Sequence, residues 1–329
     1  MRTWGSCVWA VLVAAAVGLS ALADGVDAGS FVRDGASARA FGMGGAYAAI
    51  AAGAVGGYWN PAGLSVCELP TVGGLYMDKY GLDISFQSLG VGVPITEEIG
   101  VGVVLIRSSI DDIPFSGAEG DGVFSETQSV YVLSGACDLG TIANERPDGS
   151  AVSASFHLGG SVKSYSHRLL EGRSSGIGFD VGLLASVALG WGTVEFGLCA
   201  ADLFDTSIQW YGTDHNPMNE IPWVNRCGIA LSLLEQRLVV AAEADIALQR
   251  SHLNRLRGGV EFSVVEGLTL RGGIVMASDG ETRFSTGGTL GWRNVLIDYA
   301  FVPHRILGNS HIFSFEVQLS APWLEPDED

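Results

Sequence analysis

The feature that most constrains the fold is an alternation of apolar and polar residues that begins at Thr71 and continues to Ser320. In the sequence FSFEVQLS, from Phe313 to Ser320, every second residue is apolar and the residues between are polar or charged. A period of two over eight or more residues predicts a β-strand with one apolar and one polar face. The pattern therefore predicts an all-β protein.

Fourteen segments carry this alternation. The candidate strands cover residues 71–77, 81–93, 99–109, 126–137, 152–165, 175–187, 192–202, 223–233, 238–249, 255–264, 268–277, 284–293, 295–302 and 311–320. Two architectures fit such strands, a soluble sandwich and a closed membrane barrel.

The connections between the strands favour the barrel. Several even-numbered strands are followed by brief turns such as LGWG, and longer polar segments follow strands three, seven and thirteen, the longest being Leu203 to Pro222. Outer-membrane barrels combine short periplasmic turns with longer extracellular loops. Trp191, Trp223 and Trp292 fall at strand ends, where membrane interfaces favour aromatic rings. We predict a transmembrane antiparallel up-and-down β-barrel of about 14 strands in the bacterial outer membrane.

The polar faces of the strands carry both acidic and basic residues, and a dry protein core tolerates unpaired charges poorly. A wet or plugged barrel interior accepts them. The residues predicted to line this lumen are Lys163, Asp180, Glu195, Glu243, Asp245, Arg255, Arg257, Glu261, Arg271, Asp298 and Glu316.

The first 23 residues have the form of a secretory signal peptide. Arg2 precedes an apolar run from Val8 to Leu19, and Ala21 to Ala23 has the small-x-small form of a cleavage site. The predicted organisation is a signal peptide over 1–23, an N-terminal hatch inside the barrel over 24–70, the barrel over 71–320 and an acidic tail over 321–329.

The segment between the signal peptide and the first strand is apolar but rich in glycine. No formal charge occurs from Ala40 to Cys67, and six of the twenty residues from Ala40 to Trp59 are glycine. Each glycine inside a helix costs about 1 kcal/mol relative to alanine, so one stable membrane-spanning helix is not expected. A weakly hydrophobic segment with small side chains suits packing inside the barrel.

The sequence from Arg33 to Ser65 contains GMGGAY followed by YWNPAGL, and it resembles the N-terminal signature of the FadL and PorV superfamily of outer-membrane barrels. The resemblance implies a fourteen-stranded barrel whose N-terminal hatch lies in the lumen, with Asn60, Pro61 and Ala62 at its centre. FadL-like members admit long-chain fatty acids and other hydrophobic molecules and pass them sideways through the wall. PorV-like members bind cargo of the type IX secretion system.

The residue types in this motif can also be explained by their own chemistry. Pro61 lacks an N–H and biases Asn60 away from helix, and an asparagine side chain stabilises a tight turn by bonding to nearby backbone. Tyr58 and Trp59 would anchor that turn against the wall or form the floor of a ligand pocket. The sequence leaves open whether the turn gates the barrel or only precedes the first strand.

Composition and motifs limit the remaining function classes. The net charge of −18 argues against a nucleic-acid partner. Cys67, Cys137, Cys199 and Cys227 show no zinc-ligand spacing, so no metal or cofactor is expected. No catalytic motif occurs among the six scattered histidines, and we predict that the protein is not an enzyme.

Two functions remain from different classes. The first is an outer-membrane transporter for hydrophobic or amphipathic small molecules resembling long-chain fatty acids, with passage controlled by the hatch. The alternative is a PorV-like component of a type IX secretion system that binds secreted cargo. The expected partners are outer-membrane lipid, the barrel assembly machinery, and either a hydrophobic ligand or a cargo protein.

Overall fold

The computed structural model describes residues 30–33, 35–117, 120–145, 151–213, 215–247, 254–321 and 323. The predicted signal peptide and residues 324–329 of the predicted tail lie outside the described residues.

Sixteen strands occur in the described part of the chain, and all of them belong to one sheet. Their bounds are β1 Thr71–Lys79, β2 Ile84–Pro94, β3 Ile99–Gly117, β4 Gly120–Glu145, β5 Ala151–Leu169, β6 Gly172–Leu189, β7 Gly192–Ala201, β8 Thr206–Tyr211, β9 Met218–Ile221, β10 Val224–Leu233, β11 Leu238–Ala247, β12 Arg255–Val265, β13 Leu268–Ala277, β14 Thr282–Trp292, β15 Val295–His304 and β16 Gly308–Gln318.

Fourteen of these strands form a closed ring, which confirms the predicted fold class. Each pairs antiparallel with its neighbours, β1 pairs with β16, and the pairing of β5 with β6 completes the closure. The predicted alternation is also present, since Phe179 and Val181 of β6 are exposed whereas Asp180 between them is buried. A closed antiparallel barrel with an exposed apolar outer face is the architecture of outer-membrane proteins.

The remaining two strands lie where the sequence predicts only a long connection. β8 and β9 form a hairpin, and β8 pairs with the first residues of β6 from Arg173 to Gly176. The sequence does not indicate them because each is short, and the alternation in QWYGTDHNPMNE is irregular.

The lengths of the connections also differ from the prediction. β3 and β4 continue as a paired hairpin to Gly117 and Gly120, and only residues 170 and 171 separate β5 from β6. The extension of β3 was missed because its register shifts between Ile110 and Ile113, which interrupts the alternation at Asp111 and Asp112. At the end of the barrel that carries the β3–β4 and β5–β6 connections, the wall is therefore extended mainly by longer strands and not by loops.

The chain before β1 contains only short helical turns. A 3₁₀ turn covers Ser30–Arg33, α1 covers Ala38–Gly42, α2 covers Gly56–Trp59 and a second 3₁₀ turn covers Pro61–Leu64. Among the described residues, no helix has both the length and the apolarity needed to cross a bilayer. We call residues 35–70 the N-terminal segment; most of its side chains are buried.

The inner face of the barrel is not polar throughout, because some strands bury charged side chains and others bury apolar ones. Charged side chains are buried on β5, β6, β10, β11, β12 and β15. In contrast, β1 to β4 bury inward-facing apolar side chains in the halves nearer the β1–β2 and β3–β4 connections. They include Met77, Phe86, Val104, Ile106, Val130 and Val132. Both faces of these strands are apolar, because their exposed alternate residues, such as Val103 and Leu133, form the outer wall.

Candidate functional site

The predicted turn at Asn60 is present, and its side chain makes three hydrogen bonds. The Asn60 Oδ1 atom accepts from the Ala62 N–H at 3.2 Å, which caps the 3₁₀ turn that begins at Pro61. The Asn60 Nδ2 atom donates to the carbonyl oxygens of Ala48 at 3.0 Å and Leu183 at 3.1 Å. Asn60 is fully buried and ties two parts of the N-terminal segment to β6.

Tyr58 and Trp59 are buried beside this turn. The Tyr58 hydroxyl donates to the Val32 carbonyl oxygen, and the Trp59 ring packs edge-on against Tyr58 and Tyr47. Both rings belong to the apolar cluster that also contains Phe86 and Val104. The two aromatic side chains therefore join the N-terminal segment to the apolar part of the interior, which β1 to β4 form.

Side chains from several strands hold the backbone of the N-terminal segment. Glu243 of β11 accepts from the N–H groups of Tyr47 at 2.9 Å and Ala48 at 2.7 Å. Ser314 of β16 accepts from the Ala38 N–H at 3.1 Å. Arg226 of β10 donates to the carbonyl oxygens of Tyr58 and Trp59, both at 3.3 Å. These strands lie in different parts of the ring, so the segment is bound from several directions.

A belt of glycines on the strands lets this backbone approach closely. At each position a Cβ atom would overlap the N-terminal segment; a Cβ on Gly273, for example, would overlap the backbone of Met43 and Gly44. The glycine belt comprises Gly90, Gly100, Gly159, Gly182, Gly197, Gly259 and Gly273. Gly90 in the sequence SLGVGVP and Gly273 in the sequence LRGGIV are both contact points for the segment.

The predicted charged residues of β11 to β15 form a paired network. Arg257 contacts Glu243 and Asp245, with both N–O distances at 2.5 Å. Arg271 contacts Glu261 at 2.5 Å and Asp298 at 3.0 Å. Arg39 of the N-terminal segment extends the network, since its Nε atom lies 2.9 Å from Glu261. The charges are therefore compensated locally, as burial requires.

Three predicted residues stand apart from this network. Glu195 accepts from the Ser232 hydroxyl at 3.1 Å, and Glu316 accepts from the Ala54 N–H at 3.2 Å. Arg255 has no ion pair among the described residues.

A second charged cluster lies on β5 and β6. The Lys163 ammonium is 2.8 Å from Asp180 and 3.1 Å from Asp202, and Tyr165 donates to Asp202 at 2.7 Å. Lys163 is only 1% exposed. Because Asp202 begins the connection to β8, this cluster fixes the hairpin of β8 and β9 to the wall.

We expect Lys163→Met to destabilise the protein by about 3–5 kcal/mol, because it leaves the two carboxylates buried without their cation. Thermal unfolding in detergent measures the effect. Lys163→Arg, which keeps the charge, is expected to lose less. If Lys163→Met unfolds at the wild-type temperature, the cluster does not stabilise the barrel.

A cavity of about 440 Å³ separates the N-terminal segment from β12 to β16 and β1. Arg39, Tyr47 and Cys67 line it from the segment, and Glu261, Arg271 and Glu316 line it from the barrel. Burial raises the pKa of the Cys67 thiol, so this thiol stays protonated at neutral pH. Cys137, Cys199 and Cys227 are also free thiols.

One group of residues at the periplasmic end contains serine, histidine and aspartate without forming a catalytic triad. Ser65 Oγ lies 3.0 Å from His157 Nδ1, and Asp138 lies 3.8 Å from the same nitrogen. A triad needs the nucleophile and the acid at opposite ring nitrogens. Within the described ranges, no group of His, Cys, Asp and Glu side chains is suited to hold a metal ion.

Sequence reasoning missed Arg226 and the glycine belt. The alternation places Arg226 on the inner face of its strand, because Ala230 and Ser232 share its parity and are buried. For the belt, the available signal was the recurrence of glycine in most predicted strands. Pairing each glycine with a contact on the N-terminal segment required the tertiary structure.

No family model matches the chain, and the search of curated proteins gave no match. Among solved structures, the Pseudomonas putida toluene transporter TodX is similar, with a TM-score of 0.50 and 13% identity over 88% of this chain and 99% of TodX. The CymD monoaromatic hydrocarbon channel has a TM-score of 0.50 and 16% identity over 89% of this chain and 100% of CymD. A Pseudomonas aeruginosa FadL homologue has a lower TM-score of 0.45 and adds nothing to the conclusion.

Both of the closer structures are channels rather than enzymes, and both are matched over nearly their whole length. At this level of identity, the similarity concerns the fold. The chain has the fold of the FadL-type outer-membrane barrels, as its N-terminal motif predicts.

Proposed function

We propose that the protein is an outer-membrane channel for hydrophobic or amphipathic small molecules of the long-chain fatty acid type, and that the N-terminal segment is its hatch. The observation that carries the proposal is the apolar inner face of β1 to β4. Water-filled porins have polar interiors, whereas Phe86, Val104 and Ile106 face inward here and are fully buried. An apolar interior suits an apolar solute.

The hatch role rests on the contacts of the N-terminal segment with the wall. Side chains of β10, β11 and β16 form hydrogen bonds with its backbone, and the Asn60 side chain donates to the backbone of β6. The glycine belt fits against the segment. Each of these contacts is modest, because a hydrogen bond contributes about 1 kcal/mol to stability and one that involves a charged group about 1.5–3 kcal/mol. The segment can therefore be held in one position and still rearrange when a solute competes for its place.

An exit toward lipid is proposed at the seam between β1 and β16. The cavity of about 440 Å³ described above reaches Gly73 and Gly74 from inside the barrel. A depression of about 680 Å³ lies against Gly74 on the outer face. Phe315, the pairing partner of Gly74, contributes to both. The wall is thin here because Gly74 has no side chain.

Cross-linking the seam tests this exit. In a chain whose four mature cysteines are replaced by serine, Gly74→Cys with Phe315→Cys places two thiols on paired residues. We expect a short thiol cross-linker to abolish delivery of a labelled fatty acid into lipid vesicles, and reduction of a cleavable linker to restore it.

The matched control is Leu231→Cys with Val240→Cys, which pairs two residues across β10 and β11. Cross-linking this distant seam should leave delivery unchanged. Equal inhibition by both cross-links would show that the wall as a whole, and not the β1–β16 seam, limits transport.

The function itself is tested by binding and delivery. We expect the detergent-extracted protein to bind radiolabelled long-chain fatty acid, to deliver it when reconstituted, and to carry amphipathic molecules detectable by mass spectrometry of the extract. Failure to bind any of a series of fatty acids and aromatic hydrocarbons contradicts the proposal.

The alternative function, a cargo-binding component of a type IX secretion system, has one observation in its favour. Large apolar side chains are exposed around the end of the barrel that carries β8 and β9, among them Phe115, Val123, Phe204, Met218 and Ile306. Exposed apolar groups of this kind mark sites of protein contact. Co-purification with a secreted protein or a large translocon, without bound amphiphile, would favour this alternative.

A further inference from the structure

The end of the barrel that carries β8 and β9 contains a small cavity surrounded by arginines. It has a volume of about 70 Å³, and Arg33, Arg255, Arg257 and Arg283 line it together with Trp59 and Ser285. The strand register explains the grouping, because Arg257 of β12 and Arg283 of β14 both pair with Val275 of β13, one on each side. Arg255 lies two residues from Arg257 on the same face of β12. We call this site the arginine cavity.

Among the described residues, acidic side chains pair with Arg257 and Arg283 but not with Arg255. Arg257 is paired with Glu243 and Asp245, and Arg283 lies 3.7 Å from Glu281. Arg255 has no ion pair or hydrogen bond among the described residues. A cation left without a partner beside three others is unusual in a chain whose net charge is −18.

Two residues that line the cavity each have a buried hydrogen-bond donor without an acceptor in the described part of the chain. These donors are the Nε atom of Arg255 and the Nε1 atom of Trp59. Trp59 is only 3% exposed. A buried donor without a partner costs about 1–3 kcal/mol, so such groups are normally satisfied. Arginine and tryptophan side chains donate hydrogen bonds but do not accept them, so a group that satisfies either donor must be an acceptor.

We propose that the arginine cavity binds the anionic headgroup of an amphipathic solute, a carboxylate or a phosphate. Both groups present several acceptor oxygens, and both match the planar fork of an arginine. The volume suits a headgroup, and Phe41, Phe284 and Val302 line the same cavity as an apolar surface for the first part of a tail. This inference rests on the proposed function, since it specifies which solutes the channel selects.

The test measures binding to the full mature chain held in amphipol. Isothermal titration uses four probes: decanoate, decanol, acetate and inorganic phosphate. Decanoate and decanol share the tail but differ in the charge of the headgroup. Acetate and phosphate are anions without a long tail. We expect decanoate to bind more tightly than decanol. Arg255→Gln should lower the affinity for decanoate by about tenfold or more, because one charge-assisted hydrogen bond is lost. Decanol binding should not change.

Two further variants control the result. Arg168→Gln removes an exposed arginine from β5, away from the arginine cavity and from the proposed exit, and should leave decanoate binding unchanged. Arg255→Lys keeps the charge but removes the fork, and it should bind decanoate with intermediate affinity. If Arg255→Gln fails to fold, Arg283→Gln tests the same cavity from β14.

The outcomes separate this inference from the function on which it rests. Equal binding of decanoate and decanol, unaffected by Arg255→Gln, overturns the anion site but leaves a hydrophobic channel intact. Binding of phosphate or acetate that depends on Arg255, without binding of either ten-carbon amphiphile, supports the anion site and contradicts the transport proposal. Absence of binding by all four probes, as for a cavity that holds only water, overturns both.

Discussion

Gly273→Val is expected to displace the N-terminal segment and open a steady ion conductance through the barrel. The added Cβ atom and methyl groups would occupy the space of the Met43 and Gly44 backbone, and these atoms cannot move aside as a flexible side chain can. Overpacking a well-packed site costs about 1–3 kcal/mol. Planar-bilayer recordings measure the conductance, and thermal unfolding measures the loss of stability.

The adjacent residue supplies the control. Gly272 lies on the opposite face of β13, and a Cβ atom there would meet nothing within 4 Å. The Gly272→Val variant should therefore show no steady ion conductance and should be as stable as the wild type. A second pair makes the same comparison on β5. A Cβ atom on Gly159 would overlap Pro61 and Ala62, whereas one on Gly160 would make only an ordinary contact with the Asp180 carbonyl oxygen at 3.7 Å. A closed Gly273→Val variant of wild-type stability would contradict the role of the glycine belt.

Asn60→Asp is expected to have the second large effect, a loss of about 3–5 kcal/mol, the cost of an uncompensated buried charge. The substitution keeps the size and the Oδ1 acceptor. The second oxygen would replace the Nδ2 donor and face the carbonyl oxygens of Ala48 and Leu183. We expect a lower unfolding temperature and faster proteolysis of the N-terminal segment in detergent, both partly reversed by acidification that protonates the carboxyl group.

Asn225→Asp provides the matched control for Asn60→Asp. Asn225 is half-buried, and its Oδ1 atom accepts from the Trp223 indole N–H at 3.1 Å. A carboxylate accepts that hydrogen bond equally well, so the variant should lose little stability. If both variants lose the same stability, the effect of Asn60→Asp reflects added charge and not the orientation of the amide.

The predictions from sequence succeeded where one local pattern was enough. The period of two gave the fourteen ring strands, because a face in contact with lipid must be apolar along its whole length. The same period brought Glu243 and Asp245 to the face that Arg257 shares. It failed at β8 and β9, where the strands are too short to show a period, and beyond Ile110, where a shift in register breaks it.

For the candidate site, the sequence indicated the turn but not its partners. Asn60 followed by Pro61 predicts a capped turn from local chemistry alone. That Asn60 would bind the Leu183 carbonyl oxygen, 123 residues later in the chain, has no local signal. Arg255 was grouped with the other charged lumen residues, and only the structure shows that it has no ion pair with any described residue.

The sequence by itself determined that the chain forms a membrane barrel with an apolar outer face, because strand periodicity is a property of neighbouring residues. The tertiary structure decided what the interior contains. An inward residue that is apolar, glycine or charged satisfies the same alternation, and its role depends on which remote backbone it meets. For that reason the apolar half of the interior, the glycine belt and the arginine cavity became visible only when the ring was closed around the N-terminal segment.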